Sequence, residues 1–529
     1  MLFSDKNYRR KFLNDYGKDP TQDSWHYMRQ DRLDYIRIYD DELGSGAVDQ
    51  ITWDDLNMDD IFLRINHTRS FIGEQVLYHR LHDLDAAGDR DTFEAHINYF
   101  DQNTEARLKA EQKLARLGKV QTSYFMPRML KYLADYKMTL APLYSILQML
   151  LLLSVVSAII TKLNICITAA IAIGCINLAL YVREKGRSEG LFQALSGLYS
   201  LIDFSQFAVS ENVVPESMVT AELKKSLSEL RSLKWRSGYL VSKKSAAQAD
   251  AQGILSDYLL GITLWDLTFF HHIVKTVKGH EEAVMRLYEF AGEVDMFISI
   301  ASYRRSMDGY CVPVFTEETS VCAEALRHPL IEDAVPNDAA LGNYSMLMGA
   351  NASGKSTYMK AVAINLILAQ TINTCSAVSF RAPAAKVMTS MAIRDDVVSG
   401  ESYYVREVRY LKRMIDQVES GKPVLLIIDE ILKGTNTVER IAASEAVLRY
   451  LAKYPCIVLV ATHDLELIDR MKDIYEVWHF DTLQTEDGIE FDYRLHRGIG
   501  GGTNAIALLS LFGFPEEIVA DAKKGSGSA

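Results

Sequence analysis

The stretch YSMLMGANASGKSTYMKAVAINLILAQ runs from Tyr344 to Gln370, and its reading decides the fold. A short apolar run leads into a glycine-bearing loop, which opens a long apolar helix-like segment. The loop itself, Gly349 to Thr357 (GANASGKST), fits G-x-x-x-x-G-K-[ST]. Between a strand and a helix, such a loop points backbone N–H groups and a helix N-terminus at phosphates. Lys355 is then expected to reach the β/γ-phosphates, and Ser356 to hold Mg²⁺. The expected ligands are ATP and Mg²⁺, with Gly349, Asn351, Ser353, Gly354, Lys355, Ser356 and Thr357 forming the cradle.

Downstream, VLLIIDE (Val424 to Glu430) pushes two carboxylates out at the end of an aliphatic strand. Asp429 is placed to bind Mg²⁺, and Glu430 to orient or deprotonate an attacking water. VLVATHD ends a later strand at His463, where an imidazole can sense the γ-phosphate. Glu430, Lys355 and His463 are thus the catalytic candidates, and Ser356 and Asp429 the metal candidates. These runs alternate with helical segments from about Tyr310 onward, which argues for a largely parallel sheet with flanking helices. Near the end, IYEVWHF and IEFDYRLHRG flank Glu486-Asp487-Gly488, a hairpin signal.

Upstream the pattern is helical. Met58 to Asp85 places apolar residues three and four apart, as one amphipathic helix does, and Phe93 to Gly118 reads as a longer polar helix ending at glycine. A second helical block runs from about Ser188 to Arg305. With 529 residues, 48% hydrophobic and 24% charged, the chain is long enough for several domains with cores of their own. The net charge of −12 does not advertise a nucleic-acid binder. Six scattered cysteines without a C-x-x-C pair predict reduced thiols and no zinc site. The charged N-terminus lacks a signal-peptide pattern, and the tail GSGSA reads as an appended linker.

One feature stands apart. Leu140 to Ile160 and Ile165 to Val182 are almost free of charge, joined by Thr161-Lys162-Leu163-Asn164. Each is close to the length of a membrane span. Arg128, Lys131 and Lys137 precede the pair and Arg183, Lys185 and Arg187 follow it, which predicts that both ends stay in the cytoplasm. Neither arm has the polar stripe of a soluble surface helix. Ala170 and Gly174 provide a small-xxx-small spacing for close approach of the two arms. The alternative is a hairpin buried inside a helical bundle.

Gly349 to Thr357, DEILKGTNT (Asp429 to Thr437) and ATHDLEL (Ala461 to Leu467) together resemble the MutS family of mismatch-repair ATPases. Further stretches strengthen the resemblance: ASYRRSMDGYCVPVF with LRHPLIEDAV, RDDVVSGESYYVREV (Arg394 to Val408), and the closing GIGGGTNAIALLSLFGFPEEIVADAKK. MDDIFLRINHTRSFIGEQVLYHRL resembles the start of the family's core domain. The resemblance implies an ATP hydrolase working as a dimer with composite sites. One subunit supplies Asn351, Lys355, Ser356, Asp429, Glu430 and His463, and the other presents the loop around Ser402 and Glu407. Nucleotide and partner are then coupled reciprocally.

The sequence departs from the family pattern in places. Ala350, Ala352 and Ser353 stand where Pro, Met and Gly are usual, Leu432-Lys433 replaces Gly-Arg, and Tyr403-Tyr404 replaces Thr-Phe. About fifty residues precede the core-like segment, too few for the mismatch-reading and connector domains. The triplet Phe315-Thr316-Glu317 lies beside the ATPase and reads as structural, so recognition by a Phe wedge is not expected.

The expected fold is α+α/β: a MutS-like helical core and lever with an inserted two-helix transmembrane hairpin, then a P-loop (ABC-type) α/β ATPase domain. The expected boundaries are 1–50, 51–139 (core), 140–182 (hairpin), 183–309 (core and lever), 310–524 (ATPase) and 525–529 (linker). The expected function is a membrane-anchored, two-span ATPase that switches conformation as a homodimer, with DNA as its partner through descent. The alternative is a membrane ATPase acting on a protein or on the membrane itself. A transporter is disfavoured, because two spans make a poor path and LSG (Leu195 to Gly197) lies upstream of the phosphate loop.

Overall fold

The computed structural model describes residues 5–22, 32–44, 47–84, 88–135, 141–231, 261–350, 353–391, 403–485, 488–500 and 513–525. The chain divides into two compact units that do not follow its linear order. One comprises Met1–Gly44, Asn66–His79 and Glu94–Tyr303; the other comprises Ser45–Ile65, Arg80–Phe93 and Arg304–Ala529.

The first unit is helical. The stretch read as one helix from Met58 is two, Met58–Ile65, which falls in the second unit, and Phe71–His82, divided at residues 66–70. The side chains of that link explain the break. Thr68 Oγ donates to Asn66 Oδ1, and the buried Asp295 carboxylate accepts from Arg69 N, Ser70 N and Ser70 Oγ at 2.6 to 3.1 Å. Asp295 thereby caps a helix it does not belong to, satisfying amides that the helix start leaves unpaired. Gly73 makes room for this, since a Cβ there would sit 2.3 Å from an Asp295 oxygen.

The stretch from Phe93 to Gly118 is likewise two helices, Arg90–Gln102 and Thr104–Leu117. At the break the Arg107 guanidinium donates to the carbonyls of Phe100 and Asp101. Gly118 ends the second helix at φ 68°, as its position suggests.

The apolar pair forms the helices Ala141–Thr161 and Asn164–Ser210. The second is 47 residues long and runs through residue 182 without interruption, about 70 Å of continuous helix. Two segments, Pro142–Thr161 and Asn164–Glu184, are long and apolar enough to cross a membrane, and only 6% and 17% of them is buried. Ile159, Ile160 and Ile165 are more than two-thirds exposed, so the buried-bundle alternative for the hairpin is not what the fold adopts.

The second unit holds both sheets. The larger has the order β10-β9-β4-β8-β7-β6, with β4 (Tyr344–Met348), β6 (Lys386–Ser390), β7 (Val424–Asp429), β8 (Ile457–Ala461) and the antiparallel pair β9 (Glu476–Thr485) and β10 (Gly488–Arg497). The pairs β9–β4, β4–β8, β8–β7 and β7–β6 are parallel. β4, β7 and β8 are nearly continuous apolar runs, as strands covered on both faces must be. The hairpin pairs Gly488 with Thr485 around Glu486 and Asp487, which lie outside the described residues. A smaller sheet, β1-β5-β2-β3, comprises Val314–Phe315, Ser379–Ala382, Val321–Leu326 and Asn337–Leu341.

Residues 49–55 of this unit cover its edge strand, β6. Asp55 accepts from Thr389 Oγ1 and Met391 N, and Thr52 Oγ1 accepts from Thr389 N. Arg413 also donates to Thr389 O and pairs with Asp49. An edge strand otherwise presents unpaired amides and carbonyls, and the helix Gln50–Asp55 screens this one.

Candidate nucleotide site

The glycine loop joins β4 to the helix Lys355–Ile372. Gly354 takes φ 104° as the residue before that helix, a conformation that L side chains rarely adopt. Gly349 takes φ 149° with Ser353 Oγ and Phe480 O where a Cβ would point. The helix is buried along almost its whole length, so its N-terminus is held rigidly under the loop.

Lys355 lies folded against the loop, donating to Gly349 O at 2.6 Å and Ala350 O at 2.8 Å. Burial pushes its ammonium down, and the carboxylates of Asp429 and Glu430 oppose that effect. Ser356 Oγ donates to Asp429 Oδ2 at 2.6 Å, which joins the first turn of the helix to the end of β7. Ser353 Oγ is buried and finds no hydrogen-bond partner among the described residues. An orphaned hydroxyl of this kind is costly unless a ligand completes it. Thr357 is exposed at the same turn. A cavity of about 660 Å³ opens here, lined by Ser353 to Tyr358 on one side and by Asp429, Glu430 and Lys433 on another.

The turn after β7 is unusual. Glu430 has φ 59° and Leu432 φ 57°, both non-glycine residues in the left-handed region. The turn is held from outside. Glu430 N donates to Ala461 O on β8, and the buried Glu407 carboxylate accepts from Lys433 N at 3.0 Å and Gly434 N at 3.4 Å. Gly434 has no room for a side chain, because Tyr404 lies 2.8 Å from where its Cβ would stand.

Glu430 meets two side chains. Lys433 Nζ lies 3.1 Å from Oε2 and His463 Nδ1 3.4 Å from Oε1. Burial opposes its charge, but Lys433 and His463 outweigh that and hold the carboxyl below its ordinary value. Glu407 behaves in the opposite sense, pushed up by burial despite its backbone partners.

Of the residues singled out in the sequence, Gly349, Ser353, Gly354, Lys355, Ser356, Thr357, Asp429, Glu430 and His463 therefore converge. Asn351 and Ser402 lie outside the described residues. Glu407 sits behind the turn of its own chain, on the helix Tyr403–Glu419, where its carboxylate binds backbone. Lys433 escaped the sequence reading as a partner of Glu430, because the turn that brings them together has no periodicity. Tyr493 and Asn337 were also missed: Asn337 Nδ2 donates to Tyr493 O, and both line the cavity.

A mainly parallel sheet, a glycine loop opening a buried helix, and two carboxylates at the end of a nearby strand make this part of the chain an α/β domain. Residues 345–527 match MutS domain V. Curated relatives agree over the C-terminal half. The DNA mismatch repair protein MutS of Aquifex pyrophilus is 32% identical over 244 residues, 44% of this chain and 28% of that protein. That of Natronomonas pharaonis is 28% identical over 261 residues, 47% of this chain and 30% of that protein. That of Pseudothermotoga lettingae is 29% identical over 266 residues, 48% and 32% respectively. Through this half the chain is similar to the MutS family, and the match spans about a third of the length of these relatives or less.

Proposed function

We propose that the chain is a membrane-anchored, MutS-type ATPase that binds and hydrolyses ATP in a homodimer with composite sites. The observation that carries the reading is the Ser356–Asp429 hydrogen bond beside Glu430 and Lys355, inside one cavity. The residues fit the expected ligands. Ser353 offers a hydroxyl with no partner among the described residues, Lys355 an ammonium that donates to the Gly349 and Ala350 carbonyls, and the helix start its backbone amides. Ser356 and Asp429 would hold Mg²⁺, which when bound supplies charge neutralisation at the phosphates.

The remaining chemistry belongs to the chain. Lys355 leaves the Gly349 and Ala350 carbonyls for the phosphates. Glu430, kept ionised by Lys433 and His463, orients the attacking water and takes its proton. His463, at the end of β8, turns toward the γ-phosphate. The loop around Ser402 is presented to the partner's nucleotide, and Glu407 holds the turn that carries Lys433. The hairpin 140–182 anchors the protein in a bilayer as two spans, with the ATPase and both termini cytoplasmic; the exposure of its apolar side chains supports this.

DNA is the partner suggested by the relatives. A second reading, an ATP-driven switch on a protein or on the membrane itself, is favoured by the net charge of −12 and by the hairpin. ATP turnover by the full chain in detergent, with and without duplex DNA, separates them beside a Glu430→Gln variant. Loss of roughly 10²-fold or more in turnover with nucleotide binding retained is expected for that variant; an unchanged rate sinks the assignment of Glu430. Salt-dependent DNA stimulation supports the first partner. ATP-dependent capture of a partner insensitive to nuclease supports the second.

A further inference from the structure

Cys311 and Cys375 face each other across an isolated antiparallel bridge within the second unit. Cys311 N donates to Cys375 O and Cys375 N to Cys311 O, both at 3.0 Å. A pair that exchanges both hydrogen bonds has its Cα atoms about 5.5 Å apart. Disulfides most often span about 5.5–6 Å between Cα atoms. The Cys375 thiol itself donates to Asn365 O at 3.5 Å. No sequence motif announces this pair, because 64 residues separate its members (375 minus 311).

The bridge is one tooth of a longer contact. Arg304 donates to Asn373 O and to Thr374 Oγ1, both at 2.9 Å, and Ser376 Oγ donates to Met307 Sδ. Residues 304–311 therefore run as a strap along residues 373–376. That loop directly follows the helix opened by the glycine loop, and Asn365 of the same helix holds it by accepting from Ser376 N at 2.7 Å. Cys311 is partly exposed, whereas Cys375 is fully buried.

We propose that Cys311 and Cys375 form a reversible modification site, at which a small-molecule disulfide of the glutathione class converts the two thiols into a disulfide and locks the strap to the loop behind the phosphate helix. The accessible Cys311 thiolate attacks the small disulfide, forming a mixed disulfide and releasing one thiolate. Cys375 gives up its proton, its sulfur attacks Cys311 Sγ, and the second thiolate leaves. Two protein thiols and one small disulfide thus become one protein disulfide and two small thiols. Proximity to Cys375 holds the Cys311 thiol below its ordinary value, while burial pushes the Cys375 thiol up. Excess reduced thiol reverses both steps.

The test uses the full chain in detergent, exposed to glutathione buffers of increasing oxidised fraction, then acid-quenched and alkylated. Digestion with trypsin and a glutamate-specific protease separates Cys311 from Cys322 at Glu317 and Glu318, so each thiol is mapped by mass. The expected product is a peptide pair joined through Cys311 and Cys375, lost on dithiothreitol treatment and absent from Cys311→Ser. Cys375→Ser should instead accumulate glutathione on Cys311. The proposal is overturned if wild-type Cys311 and Cys375 both remain alkylatable where the exposed Cys322 is fully glutathionylated. It is equally overturned if the joined pair appears only after denaturation. The wild-type mapping decides the matter even where a variant fails to fold.

Discussion

At the scale of single residues, the turn after β7 joins strain to function. Leu432 occupies a left-handed conformation, which costs an L residue about 1–2 kcal/mol, yet its side chain is buried in the core under the sheet, worth about 1.5–3 kcal/mol. Burial outweighs strain, so a leucine is tolerated at this left-handed position. Leu432→Ala removes the burial and keeps the strain, and should destabilise by about 2–4 kcal/mol. Leu432→Gly removes both and should cost less than the alanine variant, reversing the usual order of these two residues. Chemical denaturation compares them; glycine the less stable of the two would refute the account. Lys433 gives a second prediction. Because it holds the Glu430 carboxyl down, Lys433→Ala should let that carboxyl rise. The acid limb of the pH–rate profile then moves to higher pH. The stability contributed by ionised Glu430, present above the ordinary carboxylate value and lost as pH falls through the depressed one, shrinks as well. An unmoved acid limb would show that Glu430 is not the group that titrates. Both phosphate-loop and strand-end signals were legible in the sequence, because their chemistry requires fixed residue types at fixed spacing. The left-handed turn was not, since leucine and glutamate carry no mark of it.

At the scale of elements, strongly apolar strands were readable and the polar joints were not. β4, β7 and β8 stood out as aliphatic runs, while β6 (KVMTS) and β5 (SFRA) are too short and mixed to be told from loop. The helices from Met58 and Phe93 kept their periodicity but concealed their breaks, because the group that caps Phe71–His82 is Asp295, more than two hundred residues away. Burial raises the Asp295 carboxyl, and the donors of Ser70 and Arg69 oppose it. Asp295→Asn turns one acceptor into a donor facing those same donors. It should cost about 1–3 kcal/mol for the group left unpaired, read as a lower midpoint of chemical unfolding. Ser70→Ala should cost less, since the backbone amides keep their carboxylate. Equal losses in the two variants would show that the amides contribute nothing.

At the scale of the whole molecule, the exposed apolar hairpin is the feature on which the proposed membrane location rests. A helix buried in a soluble core carries its apolar residues inside, yet Leu152 is 65% exposed and Ile171 62%. Sixteen exposed large hydrophobic residues between Leu143 and Val182 exceed what a monomeric soluble protein leaves uncovered in one region. The sequence made the hairpin visible through its lack of charge, and the fold adds that both arms face outward. If lipid covers them, a lysine near the middle of a span costs about 2.5–3.5 kcal/mol, so Leu152→Lys with Ile171→Lys is opposed twice. That double variant should leave the carbonate-resistant membrane fraction, while Leu152→Ala with Ile171→Ala should remain in it. If a second copy of the chain covered the hairpin instead, wild type would appear in the soluble fraction without detergent, as a stable oligomer that the two lysines dissociate. The partition of wild type before any substitution therefore separates a bilayer from a protein interface, and the lysine pair then identifies these two helices as the segment responsible.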